Sequence, residues 1–221
     1  HSNLPWVFFD KMPGNIFRKF LTKYLMELSI KFCDKLIVNS DYAKEEISSL
    51  LNIKEFKVKK VYLGVEKPTN FENLAVLKKF DYNQNYILSV LSCVKYHNIK
   101  NLLLAYRDLS KKNSINYKYV LVMQIIDKKY YNSLIQFISK NKLSKNIIIF
   151  NNLSSLYLPM LYKNSNLYVF TSYSEVFGLT SLEAMTYGCN VLISNKSSLP
   201  EINNDAADYF DPDNIENIKK K

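Results

Sequence analysis

Glu175 and Glu183 are separated by seven residues, with Gly178 between them, in a chain of 221 residues that has only 4 glycines. A carboxylate can accept two hydrogen bonds from a vicinal diol, which makes it the simplest reader of a ribose or a hexose. A glycine in so glycine-poor a chain, placed where a strand gives way to a helix, points to a tight turn or to a close approach by another group. The helix that follows presents the free N–H groups of its first turn, a ready site for a phosphate. Glu175 lies before that helix and Glu183 about one turn into it, so both carboxylates are expected to border the same pocket.

Those parts need a frame to hold them. From Tyr86 onward, apolar runs at 86–91, 117–123, 146–150, 166–171 and 190–194 read as strands, and the segments 98–111, 128–141, 155–163 and 179–187 read as amphipathic helices. Continuous apolar strands alternating with such helices predict an α/β fold, a doubly wound parallel sheet covered on both faces. Ligands in these sheets sit beyond the carboxyl ends of the strands, so the chemistry belongs in the loops after 91, 123, 150, 171 and 194. Upstream, 35–39 (KLIVN) reads as a short buried strand, Ser40 and Asp41 as the cap of a helix through Leu51, and 57–63 as a strand ending at Gly64. The polar stretch 66–85 reads as a connection with a short helix. The expected organisation is therefore the end of a first domain at 1–66, a link at 67–85 and a second domain at 86–221.

Residues 16–33 place Phe17, Phe20, Leu21, Tyr24, Leu28 and Phe32 at three- and four-residue spacing among Arg18, Lys19, Lys23 and Lys31. This is an amphipathic helix, expected to face a core with its basic side solvated, in preference to lying on a membrane surface.

Composition excludes several classes. With 48% hydrophobic and 14% aromatic residues the chain can bury a core and is neither disordered nor collagenous. Its 3 cysteines, Cys33, Cys93 and Cys189, are odd in number and far apart, which fits a reducing, cytoplasmic compartment and offers no disulfide framework or CxxC knuckle. Its 2 histidines, His1 and His97, cannot build an HExxH zinc site. The net charge of +10 rests almost wholly on lysine, Arg18 and Arg107 being the only arginines. Arginine is the usual reader of bases and phosphates, so no nucleic-acid partner is expected, while a peripheral contact with anionic lipid on the inner face of a membrane stays open. No apolar window reaches the roughly 18 residues of a membrane span. The start at His1-Ser2-Asn3 and the finish inside a helix-like run read as a chain truncated at both ends, and such a piece is expected to be inactive alone.

The surrounding residues carry a specific resemblance. EVFGLTSLEAMTYGCNV at 175–191, followed by LPEI at 199–202 and AADYFDPDN at 206–214, resembles the signature of retaining GT-B glycosyltransferases of the family-4, or group 1, type. Upstream, DKLIVNSDYAKEEI at 34–47 and VYLGVE at 61–66 resemble the end of that family's N-terminal, acceptor-side domain. The resemblance implies a GT-B nucleotide-binding, Rossmann-like domain preceded by the end of an N-terminal Rossmann-like domain. It also implies transfer of a hexosyl group, with retention, from a nucleotide-sugar donor to a glycan or lipid-linked acceptor in polysaccharide or cell-envelope synthesis. No cofactor and no metal are expected.

By the same resemblance Glu175 would contact donor-sugar hydroxyls, Val176, Phe177, Gly178, Leu179 and Thr180 would line the sugar and diphosphate, and Glu183 would hold the ribose. The family's Gly-Arg falls on Leu91-Ser92 and its Lys on His97, which leaves Ser92, Lys95 and His97 as the expected phosphate ligands. His1 would be a catalytic histidine facing the donor sugar. Gly188 reads as a helix C-cap, and Glu201 as a nucleotide-side contact or a helix-start residue. Asp211-Pro212-Asp213 has the DxD form by which another glycosyltransferase fold holds a metal, but reads more simply as a helix cap with proline behind it. Three rival readings stay open: a GT-B sugar epimerase or phosphorylase, a nucleotide-binding scaffold without turnover, and, more weakly, a nicotinamide-dependent oxidoreductase that would lack its glycine fingerprint.

Overall fold

The computed structural model describes residues 9–12, 14–66, 81, 84–111 and 116–220. The larger unit is a six-stranded sheet with every pair parallel, in the order β5-β4-β3-β6-β7-β8. Its strands are β3 (Tyr86–Cys93), β4 (Lys118–Ile125), β5 (Ile147–Asn151), β6 (Leu167–Phe170), β7 (Val191–Ser194) and β8 (Asp208–Phe210). The strands alternate with helices α3 (Ile99–Lys111), α4 (Lys128–Lys140), α5 (Leu158–Asn164), α6 (Leu179–Thr186), α7 (Leu199–Asn203) and α8 (Ile215–Lys220). This is the doubly wound arrangement expected, and the strand order reverses between β3 and β6.

Local sequence explains the packing. β3 and β4 are buried along nearly their whole length because helices cover both faces. Helix α3 buries Ile99, Leu102, Leu103, Ala105 and Tyr106, a helical stripe that meets the sheet. Buried tyrosines place their hydroxyls on acceptors: Tyr86 donates to the Leu161 carbonyl at 2.7 Å and Tyr106 to that of Tyr117 at 2.7 Å. An unpaired hydroxyl at such a position would cost about 1–3 kcal/mol. β3 and β4 each run two residues past their apolar runs because Ser92 pairs with Gln124 and Cys93 with Ile125.

The smaller unit comprises α1 (Ile16–Phe32), β1 (Leu36–Val38), α2 (Asp41–Leu51) and β2 (Val58–Lys60), with β1 and β2 parallel. β2 is shorter than expected because the ladder with β1 spans Val58, Lys59 and Lys60, and beyond it the Val61 amide adds one bond to the Val38 carbonyl, 2.9 Å away. Helix α1 corrects the sequence reading: Ile30 is its buried residue, whereas Phe17, Phe20, Tyr24 and Phe32 are exposed. Among the described residues of this unit, two three-residue strands and α2 are too small to cover a seventeen-residue helix. Among the described residues no helix is long and apolar enough to cross a membrane. The expected link at 67–85 falls almost entirely outside the described residues.

Candidate functional site

The reversal between β3 and β6 opens a cavity of about 640 Å³. Its walls are the loops leaving the carboxyl ends of those two strands, together with residues from β4, the β5 loop and the smaller unit. Ser92, His97, Glu175, Val176, Phe177, Gly178, Leu179 and Thr180 all line it.

The β6 loop is stapled from outside itself. The Glu175 amide donates to the Ser197 hydroxyl at 2.9 Å, and the Ser198 hydroxyl returns a bond to the Glu175 carbonyl at 2.9 Å. The Val176 carbonyl accepts from the Ser40 hydroxyl, 3.1 Å away, in the smaller unit. Gly178 meets both demands read from the sequence. Its φ is +91°, and a Cβ there would stand 2.6 Å from Cδ2 of the buried Leu199. Helix α6 begins directly after it, and the Leu179 and Thr180 amides have no acceptor among the described residues. Those two donors and the positive end of the helix open towards the cavity. Tyr168 donates to the Thr180 hydroxyl at 2.7 Å and fixes that side chain. At the far end of α6, Gly188 (φ +79°) follows the last turn, with its amide on the Met185 carbonyl and that of Cys189 on Ala184, as a C-cap requires.

The β3 loop corrects two expectations. His97 lies in a single 3-10 turn, Lys95–His97, and is 7% exposed. Its Nδ1 is 2.7 Å from the Ser92 carbonyl and its Nε2 is 3.2 Å from Glu175 Oε1. Both ring nitrogens thus face protein oxygens, which is not the geometry of a phosphate ligand. Lys95 is exposed and lines neither this cavity nor its neighbour. Ser92 is at the wall, with its carbonyl occupied by His97 and by the Val94 amide.

Glu183 also departs from expectation. It borders a smaller adjoining cavity of about 160 Å³, which shares Leu158 with the first. Being one turn deeper along α6 than Thr180, it lies past that wall and against α5. Tyr162 donates to Glu183 Oε2 at 2.9 Å, and the Tyr162 and Tyr187 rings lie nearly parallel, 6.0 Å apart. Burial raises the Glu183 carboxyl above its ordinary range, with the Tyr162 hydrogen bond opposing the rise. Nothing in the sequence spacing signalled Tyr162.

Glu201 takes a role that the sequence did not offer. Its two carboxylate oxygens accept from the Asp41 and Tyr42 amides at 2.7 and 2.8 Å, and from the Tyr62 hydroxyl at 2.9 Å. Asp41 and Tyr42 open helix α2, and Ser40 caps its Ala43 amide at 3.1 Å, so the first turn is satisfied jointly from both units. In the DxD-like segment, Asp211 pairs with Lys196 at 3.3 Å and Asp213 accepts from the Tyr173 hydroxyl at 2.7 Å. The residue capping α8 is Asn214, which accepts from the Asn217 amide at 3.0 Å, in place of the expected Asp211. His1 lies outside the described residues.

Comparison with known proteins agrees with this architecture. Residues 71–221 match the family model of glycosyl transferases group 1. The chain is 26% identical over 201 residues to the O-antigen chain mannosyltransferase RfbU of Salmonella typhimurium, covering 91% of this chain and 53% of that protein. It is 28% identical over 215 residues to O-antigen chain mannosyltransferase B of Escherichia coli, covering 90% and 53% respectively. The chain thus spans about half the length of these relatives. Among solved structures, Anabaena Alr3699/HepE in complex with UDP and glucose shares the fold, with a TM-score of 0.72 at 17% identity over 90% of this chain and 55% of that one. The strand order, the glycine-opened helix at the switch point and the family match have one reading: the chain belongs to the group 1 glycosyltransferases.

Proposed function

We propose that the chain supplies the donor side of a retaining hexosyltransferase, one that moves a mannosyl or related hexosyl group from a nucleotide sugar to a glycan or lipid-linked acceptor in polysaccharide synthesis. The observation that carries this reading is the cavity at the strand reversal. There, Leu179 and Thr180, whose amides have no acceptor among the described residues, line the same cavity as Glu175. The relatives' names supply the sugar class, and the HepE complex supports a nucleotide sugar as donor.

In this reading the donor diphosphate lies over the start of α6, where fixed N–H dipoles stabilise the charge that grows as the glycosidic bond breaks. Glu175 accepts from the sugar hydroxyls and faces the positive charge that develops on the ring, while the acceptor attacks from the same side as the departing diphosphate. Glu183, with its ring pair Tyr162 and Tyr187, takes the ribose in the adjoining cavity. We propose that the reaction needs no metal, because the N–H dipoles at the start of α6 meet the growing diphosphate charge, and Glu183 already accepts from Tyr162. The expected setting is cytoplasmic, with peripheral contact at the membrane where a lipid-linked acceptor is used.

The test is thermal shift and calorimetry on the intact protein with GDP, UDP, ADP and their hexose conjugates, without metal, against a Glu183→Gln variant. A matching nucleotide should raise Tm in the parent and fail to do so in the variant. The variant carries its own folding control. Because burial raises the folded-state value of Glu183, ionising it opposes folding once pH exceeds the unfolded carboxyl range, and the penalty is absent below it. Ligand-free Glu183→Gln should therefore melt above the parent at neutral pH and level with it in acid. Stabilisation of parent and variant alike would remove Glu183 from the site, and no stabilisation by any nucleotide would overturn the reading.

A further inference from the structure

We propose that Asn39 reads the donor hexose from the smaller unit, its side-chain amide bonding sugar hydroxyls in the cavity that it shares with Glu175. The inference rests on reading that cavity as the donor site. It adds a sugar-contacting residue on the other wall, one that neither motif nor spacing pointed to.

Only two described residues of the smaller unit line the cavity of about 640 Å³, Asn39 and Leu63, and Asn39 is the polar one. It is half-buried, and its side-chain amide has no hydrogen-bond partner among the described residues. Such an amide carries two N–H donors and an oxygen that accepts, so it can bond a ligand whose groups both donate and accept. Asn39 directly follows β1, in which Leu36 and Val38 enter the core and Ile37 is exposed. By that alternation, the residue after Val38 turns away from the core.

The backbone on either side of Asn39 is fixed. Before it, the Val38 carbonyl accepts from the Val61 amide at 2.9 Å. After it, the Ser40 hydroxyl donates to the Val176 carbonyl and accepts from the Ala43 amide, each at 3.1 Å, and the Asp41 amide donates to Glu201 at 2.7 Å. The Ser40–Val176 bond also ties the two walls together. The residues that precede its two ends are Asn39 and Glu175, and both line the cavity, one from each unit.

The other polar side chains at the wall are placed differently. The Thr180 hydroxyl already accepts from Tyr168, and His97 is held by the Ser92 carbonyl. Gln124 belongs to β4 and Asn152 follows β5, and β3 stands between those strands and β6. In the donor reading the diphosphate takes the N–H groups that open α6, so the part of the donor left beside Glu175 is the hexose. Each sugar hydroxyl donates one hydrogen bond and accepts others, whereas an ionised Glu175 can only accept. Asn39 supplies the donors that Glu175 lacks. Leu63 and Phe177, which line the same cavity, offer apolar surface to the C–H face of the ring.

Calorimetry on the intact protein separates the sugar from the rest of the donor: GDP against GDP-mannose and UDP against UDP-glucose, in the parent, Asn39→Ala and Asn39→Leu. For whichever nucleotide binds, the hexose conjugate should lose about tenfold in affinity in both variants, the size of one or two hydrogen bonds, while the free nucleotide stays within about twofold of the parent. Leucine keeps roughly the size and branching of asparagine, so agreement between the two variants assigns the loss to the amide and not to missing bulk. Both variants should melt with the parent, because the Asn39 amide bonds to no described residue. A variant that melts well below the parent would overturn the proposal, since the residue would then carry part of the fold. Equal weakening of nucleotide and conjugate would overturn it too, by making Asn39 a determinant of the cleft's shape. A parent that binds no nucleotide would overturn the donor-site reading and this inference with it. A parent that binds nucleotide, beside variants that hold the conjugate as tightly as it does, would overturn this inference alone.

Discussion

The two loops that meet at the reversal of the sheet draw on different mixtures of internal and outside bonds. The β3 loop has the greater share of its own: the Val94 amide and the His97 ring both return to the Ser92 carbonyl, and the His97 and Asn98 amides reach back to Val94 and Lys95, beside outside bonds to Asp127, Thr171, Tyr173 and Pro212. The β6 loop has its anchors elsewhere, in Ser197 and Ser198 before α7 and in Ser40 of the smaller unit. A loop that closes on its own backbone can change its side chains and keep its shape. A loop held by distant partners keeps its shape only while those partners are in place. The positions that the sequence resemblance sets apart, Leu91-Ser92 and His97, lie in and beside the first loop, while Glu175 and Gly178, which help to carry that resemblance, lie in the second.

The largest effect that would sharpen this contrast is Gly178→Val. It combines a φ of +91° with a Cβ position 2.6 Å from Leu199, so unfolding in urea should show a loss of about 3 kcal/mol or more. Gly64→Ala is the matched control: no atom lies within 4 Å of its Cβ position, and the change should stay within about 0.5 kcal/mol.

Asn98→Leu probes the β3 loop at its one strained residue. It places a branched side chain at φ +53° and removes the hydrogen bond to the Pro212 carbonyl, for a loss of about 2 kcal/mol in the same assay. If it costs more than Gly178→Val, the β3 loop is the less tolerant of the two and the comparison is reversed. Lys95→Ala should be smallest, within about 0.5 kcal/mol in stability and with little change in nucleotide affinity by calorimetry, because its side chain is exposed and borders neither cavity. A large affinity loss there would return Lys95 to the phosphate site.

The sequence made the second domain legible because its strands are continuous apolar runs and its helices carry clear stripes, and both signals come from neighbouring residues. Gly178 was legible for the same reason, as a rare residue at a strand-to-helix junction. What escaped was set at long range. Glu201 reaches partners 159 and 160 residues away, and Ser40 reaches Val176 across 136. The wall at Leu158 that separates Glu183 from Glu175 belongs to a different helix, so helical spacing alone placed both carboxylates in one pocket. His97 stands where the family resemblance implies a cation, and only the Ser92 carbonyl, 2.7 Å from its Nδ1, shows how the ring is held. The stripe on α1 was read correctly as amphipathic, but periodicity states that a face is apolar and not what covers it.

The Glu201 carboxylate gives helix α2 an unusual dependence. Two of its opening amides are satisfied by a residue of the other unit, so α2 is complete only while the units are together. Any hinge motion that widened the cleft would uncap a helix and bare a carboxylate in the same movement, and water would have to take up both. Cleft opening is thereby coupled to local helix fraying, and exchange of the Asp41 and Tyr42 amides becomes a reporter of how often the two halves part.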